Sequence, residues 1–231
     1  MSNFFTAFSK TMRVEGGVNF NPDDQGNMVV NGICILPTYK GIAPQIHLNW
    51  QGWKIVKEEI DSLGDIPIYG TRTFKKWCGK LNASLTKNEQ LQNLVLQFYK
   101  ANFWDANRLG EIQDQDVANW IYDHAVNGGG RGITWMQEAA GVKADGSIGP
   151  RTLAAINAAD PEKLLQTSED VAAFYRLDRA ARDPSQIQFL PSWLRRDGVS
   201  EEEIREVMQA AKDGLTYTEV AALKRLIQST V

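Results

Sequence analysis

Two carboxylates stand where this chain could do chemistry. Glu15, in Val14-Glu15-Gly16-Gly17, falls where a helix must stop, and Asp24 follows across a turn in Asn21-Pro22-Asp23-Asp24-Gln25-Gly26. A glutamate in the last helical turn sits near the negative end of the helix dipole, and shielding by aromatic neighbours adds a desolvation cost. Both effects raise its pKa, which suits a general acid that keeps its proton near neutral pH until a leaving-group oxygen takes it. The plainer reading of Glu15 is a surface residue before a Gly-Gly stop. Asp24 likewise reads as an Asx-type turn residue beside Pro22 and Gly26.

The elements that must position these groups follow from apolar spacing and turn chemistry. Phe4, Phe5, Phe8 and Met12 predict a first helix with one face on a core, ended by Gly16 and Gly17 through the left-handed cap conformation. Residues 18–49 are rich in Asn, Gly and Pro, with apolar runs at 28–30 and 33–36 that predict brief strands or a small hairpin. A helix is predicted from Trp50 to the Ser62-Leu63-Gly64 stop, and a second from Thr71 to Trp77 before Gly79. Thr86-Lys87-Asn88-Glu89 reads as a capping box opening the longest helix of the core.

Further on, 116–126 predicts a helix stopped by Asn127-Gly128-Gly129-Gly130, and 133–140 the next, stopped by Gly141. Asp145-Gly146 marks a tight turn, and Pro150 and Asp160-Pro161 mark helix starts. Residues 169–182 predict a helix whose Arg176, Arg179 and Arg182 read as a solvated edge. Two capping boxes, Ser200-Glu201-Glu202-Glu203 and Thr216-Tyr217-Thr218-Glu219, flank Gly214 and predict a C-terminal helical hairpin. Asn127 carries an amide that could donate and accept to an N-acetyl sugar, or could serve as a left-handed helix cap; Arg131 has the same two readings.

Composition narrows the function classes. A net charge of −3 over 231 residues gives no basic surplus of the kind that marks a nucleic-acid binder. Cys34, Cys78, His47 and His124 form neither a disulfide framework nor a metal-ligand spacing and read as structural, so no metal is expected. Trp104, Trp120 and Trp135 sit at helical spacings and read as core rather than as sugar-stacking platforms. The N-terminus reads as lacking a signal peptide and no stretch approaches a membrane span, so synthesis in the cytosol without membrane insertion is expected.

Glu15-Gly16-Gly17, then Asn21 to Gly26, then Gly32-Ile33, resembles the opening of glycoside hydrolase family 108, the phage and bacterial N-acetylmuramidases. Trp50-Gln51-Gly52-Trp53-Lys54-Ile55-Val56, Phe98-Tyr99-Lys100-Ala101-Asn102-Phe103-Trp104-Asp105 and Asp123-His124-Ala125-Val126-Asn127-Gly128-Gly129 look like further family blocks in family order. Asp145-Gly146-Ser147-Ile148-Gly149-Pro150-Arg151-Thr152-Leu153 resembles a peptidoglycan-binding signature, and Phe189-Leu190-Pro191-Ser192-Trp193-Leu194 the end of the conserved region. The chain departs from the family near the site, with Asn27 for a second glycine and Val29 for a threonine suited to positioning water.

The resemblance implies a mainly α, lysozyme-like, two-lobed helical fold with a small irregular or β segment, the first helix and that segment walling a cleft. It implies a muramidase lobe over 1–110 and a peptidoglycan-binding-like helical lobe of the same catalytic body over 111–197; the hairpin extension over 198–231 lies outside the resemblance and is expected from its capping boxes. The expected activity is cleavage of the β-1,4 bond between N-acetylmuramic acid and N-acetylglucosamine, with Glu15 as general acid and Asp24 activating water or stabilising positive charge. Gly16, Gly17, Gly32 and Asn127 would bind substrate. Peptidoglycan is the expected partner of a monomer that needs no cofactor, a phage endolysin released from the host cytoplasm by a holin. A lytic transglycosylase and a non-catalytic wall-binding or assembly protein are the alternatives.

Overall fold

The structure, a computed structural model, describes residues 1–12 and 16–212. Glu15 therefore lies outside the described residues, as does the second helix predicted for the C-terminal hairpin. The fold is mainly α, with ten α-helices and two small antiparallel sheets among the described residues, and the chain divides into two compact units. One spans residues 4–106; the other comprises residues 1–3 and residue 107 onward.

In the first unit, α1 (Phe4–Met12) buries Phe4, Ala7 and Thr11. Phe4 meets Trp104 edge-on at 5.8 Å and Phe8 meets Tyr99 at 5.9 Å. Phe5 was expected on this face but is 60% exposed, because one residue further along a helix of 3.6 residues per turn points about 100° away. The segment after it forms β1 (Val18–Asn19), β2 (Met28–Val30), β3 (Ile33–Leu36) and β4 (Thr38–Tyr39). β1 pairs with β4, and β2 with β3. Asn31 and Gly32, at φ 49° and 78°, form the two-residue turn of the β2–β3 hairpin; both are left-handed, which matches the twist of the strands. Tyr39 is fully buried, and the side-chain amide of Gln92 donates to its hydroxyl at 3.0 Å.

α2 (Gly52–Ser62) turns Trp53, Ile55, Val56 and Ile60 inward, with Trp50 just ahead of it against Trp53. α3 (Arg72–Lys87) begins on the Thr71 hydroxyl, which accepts from Phe74 N–H at 3.1 Å. The predicted stop at Gly79 does not occur. Glycine in a helix interior costs about 1 kcal/mol, and burying Leu81 and Leu85 completely on the continued stripe outweighs it. Thr86 and Lys87 consequently belong to α3, and the predicted capping box is not formed. Asn88 instead caps α4 (Glu89–Tyr99), its side chain accepting from Leu91 N–H at 2.9 Å. With 11 residues, α4 is shorter than both α3 at 16 and the helix over 161–182 at 22, contrary to expectation. Residues Lys100–Asp105 continue it as a wider π-type turn that buries Trp104.

In the second unit, α5 (Gln115–Gly128) starts on the Asp114 carboxylate, which accepts from the Asp116 and Val117 amides at 2.9 Å each. α6 (Arg131–Ala139), α7 (Pro150–Ala158) and α8 (Pro161–Arg182) follow; Asp160 caps α8 by accepting from Lys163 N–H at 3.0 Å. The start signal at Asp160-Pro161 and the predicted helix over 169–182 prove to be one 22-residue helix. α9 (Leu190–Arg196) and α10 (Glu201–Lys212) close the described chain. Ser200 and Glu203 form the predicted capping box: Ser200 Oγ accepts from Glu203 N–H at 3.3 Å, and the Glu203 carboxylate accepts from Ser200 N–H at 3.0 Å. Ile204 and Val207 of α10 share a core with Ala173 and Leu177 of α8 and Leu190 and Leu194 of α9.

Candidate active site

The chain entering β1 is held from two directions. Val18 N–H donates to the side-chain oxygen of Asn82 on α3 at 2.9 Å, and Lys40 N–H donates to the Gly17 carbonyl at 3.0 Å. A β-carbon at Gly17 would overlap the Asn82 amide, so this position needs glycine for close approach. That differs from the predicted left-handed cap, since Gly17 is not at positive φ. Gly16 is exposed, with open space where a side chain would be.

β1 leads into the Asp24 loop. One Asp24 oxygen accepts from Gly26 N–H at 2.8 Å, closing the Asx-type turn, and the other accepts from the Asn19 side-chain amide at 2.6 Å. Both oxygens thus have a fixed direction and a remaining lone pair, and the side chain is half-buried. Asn27 is 3% exposed and fastens the loop: its amide donates to the Asn21 carbonyl at 2.9 Å, and its oxygen accepts from Thr38 N–H at 2.5 Å. The departure at Asn27 therefore has a structural task, tying the Asp24 loop to β4. Val29 lies opposite Cys34 in the hairpin, and burial pushes the Cys34 thiol up to about 11.

The expected substrate-binding residues fall in both units. Gly16, Gly17 and Gly32 belong to the first, together with the expected catalytic Asp24; Asn127 belongs to the second. Gly32 is exposed at the hairpin turn. Asn127 stands within the last turn of α5, its amide donating to the Asp123 carbonyl at 2.8 Å, so it is not the predicted left-handed cap; α5 ends instead at Gly129, whose φ of 63° and ψ of −142° suit glycine but differ from the left-handed helical cap. Arg131 lies over the Tyr175 ring at 4.7 Å. Trp104, Trp120 and Trp135 are buried core residues, as their spacing predicts.

Sequence reasoning missed a buried polar cluster in the second unit. Asp197, 1% exposed, takes a two-pronged contact from Arg176, and His124 Nε2 lies 3.0 Å from one of its oxygens while Nδ1 lies 2.9 Å from the Trp120 carbonyl. Arg176 also lies over the rings of Trp135 and Trp193 at 5.2 and 5.4 Å. It is therefore not part of the solvated edge expected for it, because its side chain is only 11% exposed. Burial raises the pKa of nearby Glu169, and the charges of Asp170 and Asp197 add to that. Among the described residues no group of three or more His, Cys, Asp or Glu could hold a metal ion, and no helix is long and apolar enough to cross a membrane.

A family model described as a predicted peptidoglycan domain matches residues 131–198. Among solved structures, that of Brucella abortus SagA is similar with a TM-score of 0.52 and 21% identity, covering 91% of this chain and 94% of that one, which shows a shared fold. No curated protein matches the chain. The family model Glycosyl hydrolase 108 matches residues 8–129, more than half of the length, and the chain accordingly belongs to glycosyl hydrolase family 108 and is a glycoside hydrolase acting on peptidoglycan.

Proposed function

We propose that the chain is an N-acetylmuramidase that hydrolyses the β-1,4 bond between N-acetylmuramic acid and N-acetylglucosamine. Glu15 gives its proton to the leaving glycosidic oxygen. Asp24 either draws the proton from the attacking water or offsets positive charge on the sugar, and the water oxygen ends on the anomeric carbon. Gly16, Gly17, Gly32 and Asn127 are the substrate-binding residues of this reading; Gly16 is exposed with open space where a side chain would be, which supports a binding role for it.

The observation that carries the proposal is the Asp24 carboxylate. Two hydrogen bonds fix its direction, and its loop is fastened through Asn27 to β4. A group that must act on one water or one developing charge gains most from such preorganisation. The test is to follow reducing ends and muropeptide masses on purified peptidoglycan. Wild type should release hydrolysed ends, and Glu15→Gln should release none while folding normally. Anhydro ends would instead identify a lytic transglycosylase, and a fully active Glu15→Gln would remove Glu15 from the mechanism.

The biological setting in the same proposal is a phage endolysin that acts as a monomer and reaches the wall from the host cytoplasm through a holin lesion. Co-expression in a bacterial host tests it. Lysis should require a holin, and lysis at the same rate without one would discard that route.

A further inference from the structure

The first unit contains a cavity of about 250 Å³ beside the Asp24 loop. Its floor is aromatic: Phe20 and Phe74 meet edge-on at 5.6 Å, and Tyr69 and Phe74 at 5.2 Å. Its rim is apolar and open to water, with Ile33 58%, Ile68 80% and Tyr69 51% exposed. Pro22, two residues before Asp24, lines it on one side, and Gly32 lines it on another. Gly32 is exposed, and a β-carbon there would meet nothing within 4 Å, so the backbone of this residue borders the cavity without a side chain over it.

We propose that this cavity is a glycan subsite that takes one N-acetylhexosamine ring, with the acetamido methyl group inserted among Ile33, Ile68 and Phe74. Three features select that occupant. The volume lies just below the ~300–1,000 Å³ of pockets that hold drug-sized ligands, which limits the guest to about one sugar ring. None of the lining side chains is charged, so the carboxylate-bearing stem peptides of the wall would be desolvated there without a partner. A neutral acetamido sugar offers a methyl group for the apolar floor, a ring face for Tyr69, and an amide for the peptide groups at Gly32. Phe20 and Pro22, which line the cavity, lie on the same short segment as Asp24, to which the hydrolase reading assigns catalysis, and the proposal rests on that reading.

The test uses full-length Glu15→Gln protein, which should bind without turnover, and calorimetric titration with N,N′,N″-triacetylchitotriose and with cellotriose, a neutral trimer lacking acetamido groups. The acetylated trimer should bind at least about tenfold more tightly, the discrimination expected when an apolar pocket loses its methyl group. Ile68→Asp and Tyr69→Ala, each added to Glu15→Gln, should weaken that binding by about the same factor. Placed in the otherwise unchanged enzyme, they should raise KM for peptidoglycan while kcat holds. Both positions are largely exposed, and circular dichroism checks that the variants fold. Equal affinity for the two trimers, or unchanged binding in both cavity variants, overturns the subsite. The two failures are separable: a turnover-dead Glu15→Gln with neutral cavity variants removes the subsite alone, whereas an active Glu15→Gln removes the catalytic assignment.

Discussion

Replacing Asp197 with alanine takes away the acceptor shared by Arg176 and His124. Asp197 is 1% exposed; the side chains of Arg176 and His124 are 11% and 2% exposed, so water cannot replace the lost carboxylate. Removing one member of a buried ion pair costs about 3–5 kcal/mol, mostly because a charge is left without a partner. Here two donors are stranded, which puts the expected loss in the upper part of that range. If the chain unfolds as one unit, about 4 kcal/mol lowers Tm by about 8–16 °C for a protein of this size. Urea unfolding followed by tryptophan fluorescence reads the cluster directly, since the Trp120 ring is stacked 3.9 Å from His124 and Trp193 covers Arg176. Asp105→Ala, which breaks the half-exposed pair with Lys100, is the control and should cost less than about 1 kcal/mol. A loss under about 1 kcal/mol for Asp197→Ala would refute the claim that this cluster holds α5, α8 and the end of α9 together.

Asn82→Leu should lower stability by about 1–3 kcal/mol by leaving Val18 N–H without its acceptor, and should lower kcat more than it changes KM; Asn82→Asp, which keeps the acceptor, should restore much of both. Gly32→Ala should cost about 1–2 kcal/mol in thermal unfolding, because φ 78° is strained for an L side chain. Glu169→Gln should stabilise the protein at neutral pH. The folded state raises the Glu169 pKa through burial first and neighbouring carboxylates second, so its contribution is lost as pH rises above the ordinary carboxylate range; the advantage of glutamine should disappear in acid, and an equal advantage at every pH would contradict this. Asn127→Ala, at an exposed position, should change stability by less than about 0.5 kcal/mol, so that a raised KM for peptidoglycan would report its glycan contact alone.

Features set by local chemistry were legible in the sequence. The apolar runs at 28–30 and 33–36 announce the two strands of a small hairpin, though its Asn31-Gly32 turn was not singled out, and Asp160-Pro161 and Ser200 with Glu203 announce their helix starts within one turn. The errors arose where distant packing overrides a local signal. Gly79 is a breaker in isolation, yet Leu81 and Leu85 keep α3 running because their burial exceeds its cost. The Asp24 turn was readable, whereas the hold on it was not: Asn82 meets Val18 across 64 positions, and Asn27 meets Thr38 across 11. The His124–Asp197 contact spans 73 positions and has no periodicity to betray it. Arg176 looks like any helical surface arginine until α9 brings Asp197 and Trp193 against it.

The match to known families stops at residue 198, but the core does not. Ile204 and Val207 of α10 are buried against α8 and α9, and burying such side chains contributes about 1.5–3 kcal/mol each. A fragment cut at 198 would present a raw apolar stripe made of Ala173, Leu177, Leu190 and Leu194, a loss comparable to much of the 5–15 kcal/mol that holds a typical domain folded. The unit that sequence comparison recognises and the unit that folds cooperatively therefore end at different places. Grafts, truncations and fusions of this unit should take their boundary from α10, and the residues it covers are free to drift only in step with it.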